Sequence, residues 1–276
     1  MSEWHEVGDQ VYVRRHVSMD LNCGLIVGDG ACLVVDTRSH DAEARNLIEA
    51  IRHLTPYPWT VVNTHAHYDH AFGNATFRPA SIWGHRQCAD RLASERGSAD
   101  RTRIAANARA DPDPLWQEFA RAIEAVEISP PDQVFDDTVT LRVGDRSVVL
   151  AYHGLGHTDG DVVVAVPGAG VLFAGDLVEE GAPPQFHDGY PLDWPATLDG
   201  VLGMVTGPVV PGHGAVVDAA FVRGQRNEIA VLASLARGIR DGIGSMSDAL
   251  AAAPFPPEFA RVALERALLQ LEGAVH

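Results

Sequence analysis

The chain of 276 residues contains no lysine, so all 21 of its basic residues are arginine. That absence excludes a lysine nucleophile, a Schiff base and a phosphate-loop lysine. Positive charge is scarce overall. Against the arginines stand 37 Asp and Glu, a formal net charge of -16 that repels a phosphate backbone, so no nucleic-acid partner is expected. Cysteine is scarce too: Cys23, Cys32 and Cys88 are odd in number and have no C-x-x-C spacing. Neither a disulfide framework nor a thiolate zinc knuckle follows, and buried reduced thiols are expected. Long apolar runs are missing. The longest candidate, DVVVAVPGAGVLFAGD, is shorter than a membrane span and broken by Pro167 and by glycines, so no membrane partner is expected. The first residues, MSEWHEVGDQVYV, have neither a basic start nor an apolar run suited to secretion, which gives a cytoplasmic expectation. What is present is 46% apolar residues over a length able to bury a full core.

The apolar patterning alternates between strand and helix. VYVRRHV, NCGLIVG and ACLVVDT read as short strands, the last two joined by the turn at Gly28-Asp29-Gly30. Residues 40–54 carry Ala44, Leu47, Ile48, Ile51 and Leu54 at helical spacing, and Pro56 stops them. WTVVNT is a buried strand, followed by a histidine-rich stretch and the apolar piece ASIWG. Residues 86–130, charged and alanine-rich with the turn ADPDP, read as an inserted helical segment that could form a lid. Strands return as DTVTLRVG, RSVVLAYHG, GDVVVAVP and GVLFAGD. A proline-rich loop, 181–195, precedes a helix near 196–206, the strand PVVPGHG, and helices over 218–276. One domain covering 1–276 is expected, an α+β sandwich with helices outside two facing sheets.

The stretch NTHAHYDHAFGN places His65, His67, Asp69 and His70 within six positions. A helix would set His65 and His67 about 200° apart, whereas an extended strand end puts both on one side. Asp69 and His70 suit a chain turning into a helix start, so the segment reads as a strand-to-helix loop with converging side chains. GLGHTDGD, FAGDLVEE and VVPGHGAVV each present one more candidate, His157, Asp176 and His213, directly after a glycine. Glycine lets the backbone turn and approach closely, so each fragment reads as a strand end delivering a ligand to one shared edge. Five imidazoles and two carboxylates offer donors for two metal ions, and the lack of a fitting cysteine favours an open, catalytic coordination over a structural zinc.

HAHYDH resembles the H-x-H-x-D-H motif of the metallo-β-lactamase superfamily, and His157, Asp176 and His213 follow in the order of that family's later motifs. The resemblance runs from the first strands to about residue 220 and implies a four-layer αββα sandwich with metals at one edge. It also implies one ion held by His65, His67 and His157, a second by Asp69, His70 and His213, and a bridging Asp176. Two divalent ions are implied, zinc by preference, with iron or manganese as other occupants of such ligands. Paired ions in typical sites lie about 3.5–4 Å apart and lower the pKa of a bridging water from about 15.7 toward about 7. Hydrolysis by the resulting hydroxide is the expected reaction, with Asp69 orienting the nucleophile and Asp176 bridging. Aspartate at position 176 resembles thioester hydrolases of the glyoxalase II type and lactonases more than β-lactamases. A small-molecule ester, thioester or lactone is therefore the expected substrate. Glu179 stands where lactonases have tyrosine, and the tail lacks the basic motif that glyoxalase II uses for glutathione. The alternatives are a β-lactam hydrolase and a mononuclear iron oxygenase of the persulfide dioxygenase type.

Other residues carry weaker signals. His187 and Tyr190 in the proline-rich loop are candidate substrate contacts. His153 is a candidate partner orienting a ligand imidazole, and His85 a helix-start residue near the edge of the site. Trp83, Trp116, Phe186 and Trp194 could be apolar pocket walls or core. His5, His16, His40, His53 and His276 read as surface or packing residues. The helical C-terminus could pack on its own domain or on a second copy, leaving a homo-oligomer open.

Overall fold

The computed structural model describes residues 3–274 and has two sheets face to face with helices on both outer sides. The first sheet has seven strands in chain order: β1 (Trp4–Gly8), β2 (Val11–Arg15), β3 (Asn22–Gly28), β4 (Ala31–Val35), β5 (Trp59–Val62), β6 (Ile82–His85) and β7 (Gln133–Phe135). It is antiparallel through β4 and parallel from β4 onward. That change requires crossovers, supplied by α1 (Asp41–Leu54) and by the short α2 (Tyr68–Ala71) and α3 (Asn74–Phe77). Between β6 and β7 lie α4 (Arg86–Ala93), α5 (Glu95–Ala110) and α6 (Pro114–Glu124), the helical segment expected over 86–130.

The second sheet, ordered β12-β11-β10-β9-β8, contains β8 (Thr138–Val143), β9 (Arg146–Tyr152), β10 (Val162–Val166), β11 (Val171–Glu179) and β12 (Val209–His213). Its outer face is covered by α7 (Trp194–Leu202), α8 (Ala219–Arg240), α9 (Met246–Ala252) and α10 (Pro257–Leu271). α8 starts at Asp218, whose carboxylate accepts from the N–H groups of Ala220 and Phe221, a cap worth about 1 kcal/mol.

Strand alternation explains the four layers. In β10, Val162, Val164 and Val166 face the core between the sheets, while Val163 and Ala165 face the α7, α8 and α10 side. In β4, Leu33 and Val35 face inward while Cys32 and Val34 meet Ala44, Leu47 and Ile51 of α1. Both sheets are thus apolar on two faces, which only helices outside each can cover. Leu54, expected on the apolar stripe of α1, is exposed because the helix runs past the edge of the core there. All three cysteines are free and buried. Among the described residues no helix is long and apolar enough to cross a membrane.

Candidate metal centre

The histidine loop leaves β5 at Val62, and its two asparagines tie it shut. Asn63 Nδ2 donates to Asn74 Oδ1 at 3.0 Å and Asn74 Nδ2 returns a bond to Asn63 Oδ1 at 2.8 Å. The His70 carbonyl accepts from the Thr37 N–H at 2.8 Å and the Thr37 hydroxyl at 3.1 Å. These buried groups satisfy one another, as burial of polar atoms demands. α2 is a single turn, so Asp69 and His70 project from its start while His65 and His67 come from the extended segment before it.

Asp176 lies within the nine residues of β11 rather than beyond a strand end, as its sequence position suggests. Gly175 before it has φ +53°, and the register of β11 with β12 shifts on both sides of it. This irregularity turns the Asp176 carboxylate out of the ladder toward the histidines. His213 ends β12 and His157 lies on the loop between β9 and β10.

All seven predicted ligands come together. His67 Nδ1 is 2.8 Å from His157 Nε2, and Asp176 Oδ2 lies 3.7 Å from His65 Nε2 and 3.5 Å from His157 Nε2. On the other side Asp176 Oδ1 is 3.2 Å from His70 Nε2, and Oδ2 is 3.4 Å from His213 Nε2. Asp69 Oδ2 stands 3.4 Å from His213 Nε2 and 3.7 Å from His70 Nε2. Four ligand atoms around a zinc ion at 2.0–2.1 Å would be spaced by about 3.3–3.4 Å, within the spread observed here.

The second nitrogen of every imidazole is already engaged. His65 Nδ1 meets the Thr64 hydroxyl at 3.0 Å, and His67 Nε2 meets both Asp188 carboxylate oxygens at 3.2 Å. His70 Nδ1 meets Asp36 Oδ2 at 2.8 Å, His157 Nδ1 the Gln185 carbonyl at 3.2 Å, and His213 Nδ1 the Met19 carbonyl at 2.6 Å. Each partner fixes ring orientation and leaves the inward nitrogen for a cation. Among the buried atoms of the described residues left without a hydrogen-bond partner, two belong to this cluster, His65 Nε2 and Asp176 Oδ1. The residues therefore fit two metal ions, with His65, His67, His157 and Asp176 in one group and Asp69, His70 and His213 in the other.

Asp36 and Asp188, which touch His70 and His67 of the candidate centre, are residues that spacing did not mark. Asp36 closes ACLVVDT and also accepts from the Thr64 N–H and hydroxyl at 2.7 and 2.8 Å. Its backbone is left-handed, φ 66°, which costs about 1 kcal/mol or more and persists because Thr64 and His70 both require that carboxylate there. Asp188 bonds Arg91 as well as His67, and Arg91 also donates to Asp100 on α5 at 2.8 Å. Arg266 of α10 holds the same loop, donating to the Gly189 carbonyl at 2.7 Å and the Asp188 carbonyl at 3.0 Å. The only signal was indirect: the neighbouring His187 and Tyr190 mark the loop.

Those two part company. His187 lines the cavity of about 1040 Å³ over the ligands. Tyr190 does not; it lines a separate depression with His85 and Tyr152. The loop turns at Gly189, packed against the Gly156 and His157 carbonyls, and the Tyr190 N–H donates to Gly156 O at 2.7 Å, so its ring passes behind the ligand loop. His85 caps α4 and stacks on Tyr152 at 4.0 Å, and His153 contacts Met204 instead of a ligand. Trp194 and Phe186 are core, Trp83 packs between the sheets and Trp116 sits exposed on α6, so none forms a cavity wall. His16 is buried, His5 and His53 are exposed and His40 is half-buried; His276 lies outside the described residues.

Charge in the metal-free site is divided between the groups. Burial and the neighbouring His70 hold His65 well below the usual imidazole range, and burial with His67 brings His157 to about 4. Burial also opposes protonation of His70 and His213, but Asp176 and Asp69 outweigh it, raising His70 well above its usual range and His213 to about 12. Against its own burial, Asp176 is drawn far down by His70 and His213. Glu179, at the cavity wall, is pushed up to about 8 by burial and by Asp176. At neutral pH the second group therefore holds protons that a cation must displace. Metal uptake should release protons, and apparent affinity should rise with pH between about 6 and 8, as chelator competition and a weakly buffered indicator would record. Uptake without proton release would show these imidazoles to be neutral.

The metallo-beta-lactamase superfamily profile matches residues 20–214. The metallo-beta-lactamase type 2 of Bacillus cereus is 27% identical over 208 residues, 72% of this chain and 69% of that protein. The acyl-coenzyme A thioesterase MBLAC2 of Bos taurus is 29% identical over 139 residues, 50% of this chain, and the match spans only 44% of that relative. Among solved structures, the stereoselective inverting sec-alkylsulfatase Pisa1 from Pseudomonas sp. superposes with a TM-score of 0.76 at 16% identity, over 98% of this chain and 50% of that one, a likeness of fold. The shared αββα layering, the order of the ligand motifs and a profile match over most of the chain agree: the protein belongs to the metallo-β-lactamase superfamily.

Proposed function

We propose that this metal-dependent hydrolase works with two divalent ions, zinc by preference, and cleaves an ester, thioester or lactone bond in a small molecule. The observation that carries the proposal is the Asp176 carboxylate, within 3.7 Å of inward nitrogens from both ligand groups. A pair of such ions supplies an acidified water and an electrophile for the substrate carbonyl.

The chain's own residues do the rest. Asp69, held beside His213 and His70, faces the cavity, where its carboxylate can accept a hydrogen bond from the attacking water and orient it. Thr64, Asp36, Asp188 and the Gln185 and Met19 carbonyls keep five rings aimed inward, so little reorganisation accompanies reaction. Aspartate at 176 resembles the thioesterase and lactonase branches, and the partial match to a thioesterase supports the same bond class.

A panel of thioesters, lactones, simple esters, β-lactams and phosphodiesters, run with and without chelator alongside metal analysis, tests the proposal. The expected result is two ions per chain and chelator-sensitive cleavage of an ester, thioester or lactone. β-Lactam cleavage alone would move the substrate class, and one iron per chain with oxygen uptake would replace hydrolysis by oxygenation.

A further inference from the structure

Past Phe173, where its pairing with β10 ends, β11 runs on through Asp176 to Glu179. Its pairing with β12 is interrupted between Gly175 and Glu179 as well. Buried peptide groups at such a strand end need partners from elsewhere. Here a side chain takes the neighbour's place. Gln225 of α8, itself buried, accepts from the Glu179 N–H at 3.0 Å through Oε1 and donates to the Leu177 carbonyl at 2.8 Å through Nε2. One amide thus makes the two bonds that a residue of a parallel strand would make there. The Trp194 indole N–H reaches the same Leu177 carbonyl at 3.2 Å.

Glu179, fixed in this way, is buried at the cavity wall. Its Oε1 lies 3.9 Å from His157 Nδ1, too far for a hydrogen bond, but accepts from the Gln185 N–H at 3.0 Å. The carbonyl of that same Gln185 lies 3.2 Å from His157 Nδ1. We propose that Gln225 and Glu179 are positioning residues for His157: Gln225 holds the end of β11, and Glu179 passes that hold to the residue that aims the imidazole. This inference rests on the reading of His157 as a metal ligand of a hydrolase.

The test uses the full chain loaded with zinc. Ring 15N NMR reports the His157 Nδ1–H and its exchange with water, a reading independent of turnover, and chelator competition reports zinc affinity. Glu179→Ala and Gln225→Ala should each speed exchange of that proton and weaken zinc binding on the order of 10- to 100-fold, the loss expected when the partner orienting a ligand is displaced. Gln225→Met, which fills similar space without an amide, should match Gln225→Ala. Glu179→Gln keeps an acceptor for the Gln185 N–H and should restore both readings, and kcat/KM, toward the parent's. Ile229→Val, at a buried apolar position of the same helix, loosens α8 but leaves the amide and should move neither reading. An unchanged His157 proton in both alanine variants would overturn the proposal. A change as large in Ile229→Val would overturn it too, by reducing the effect to a general loosening of α8. Glu179→Gln that keeps the His157 proton yet loses turnover as alanine does would replace positioning by a direct action of Glu179 on substrate. If no ester, thioester or lactone is cleaved, the hydrolase reading falls, while the His157 proton and the zinc affinity still decide the positioning role.

Discussion

Asp176→Ala should lower kcat/KM by on the order of 10³-fold or more, at least the loss seen when one preorganised charge-stabilising group is removed from an active site. Among the described residues this carboxylate is the one placed against inward nitrogens of both groups, 3.2 Å from His70 and 3.4–3.7 Å from His65, His157 and His213. Alanine leaves two cation sites facing each other without an intervening negative charge. The fold should survive, since β11 keeps its ladder to β10 and β12 and its apolar neighbours are untouched. In the metal-free variant, His70 and His213 should titrate lower than in the parent, because Asp176 is the strongest influence raising both against burial. Turnover near the parent's level, with two ions retained, would remove the bridging role.

Gly212→Ala should be nearly as damaging without touching a ligand. A Cβ built on Gly212 would lie 1.7 Å from Asp176 Oδ1 and 2.9 Å from its Cγ, so the methyl group and the carboxylate cannot share that space. The side chain can swing away, which preserves the fold but takes the carboxylate from between the ligand groups. Activity and metal content should fall together, with thermal unfolding shifted far less than activity. Gly224→Ala is the control: nothing lies within 4 Å of its Cβ position on the exposed face of α8, and alanine there should add about 0.5–1 kcal/mol of stability. A fully active Gly212→Ala would mean that Asp176 is free to reposition and that its observed pose is not the working one.

The readable parts of the sequence were those where chemistry repeats with a period or follows a glycine. Val162 to Val166 are apolar on both faces of a strand, and that pattern requires cover on each side. The clustering of the seven candidate ligands was readable because glycine precedes three of them and close spacing gathers the other four. Asp36 and Asp188 were not readable, because what selects them is the far nitrogen of a ring 34 or 121 residues away. No spacing rule carries that information. Trp194 takes the core position that was one of its two readings: its indole N–H finds the Leu177 carbonyl at 3.2 Å, so a residue with a polar tip can be fully buried. Tyr190 was misplaced by one turn of chain, at Gly189.

The two hydrogen bonds from Arg266 bear on how such a site can diversify. All seven ligands lie within residues 20–214, the segment shared with the superfamily, whereas Arg266 belongs to a helix outside it. Through the Asp188 and Gly189 carbonyls that helix steadies the loop whose carboxylate aims His67. Changes in α10 can therefore retune one candidate ligand while the other residues of the centre stay untouched, a separation between what supplies the chemistry and what adjusts it.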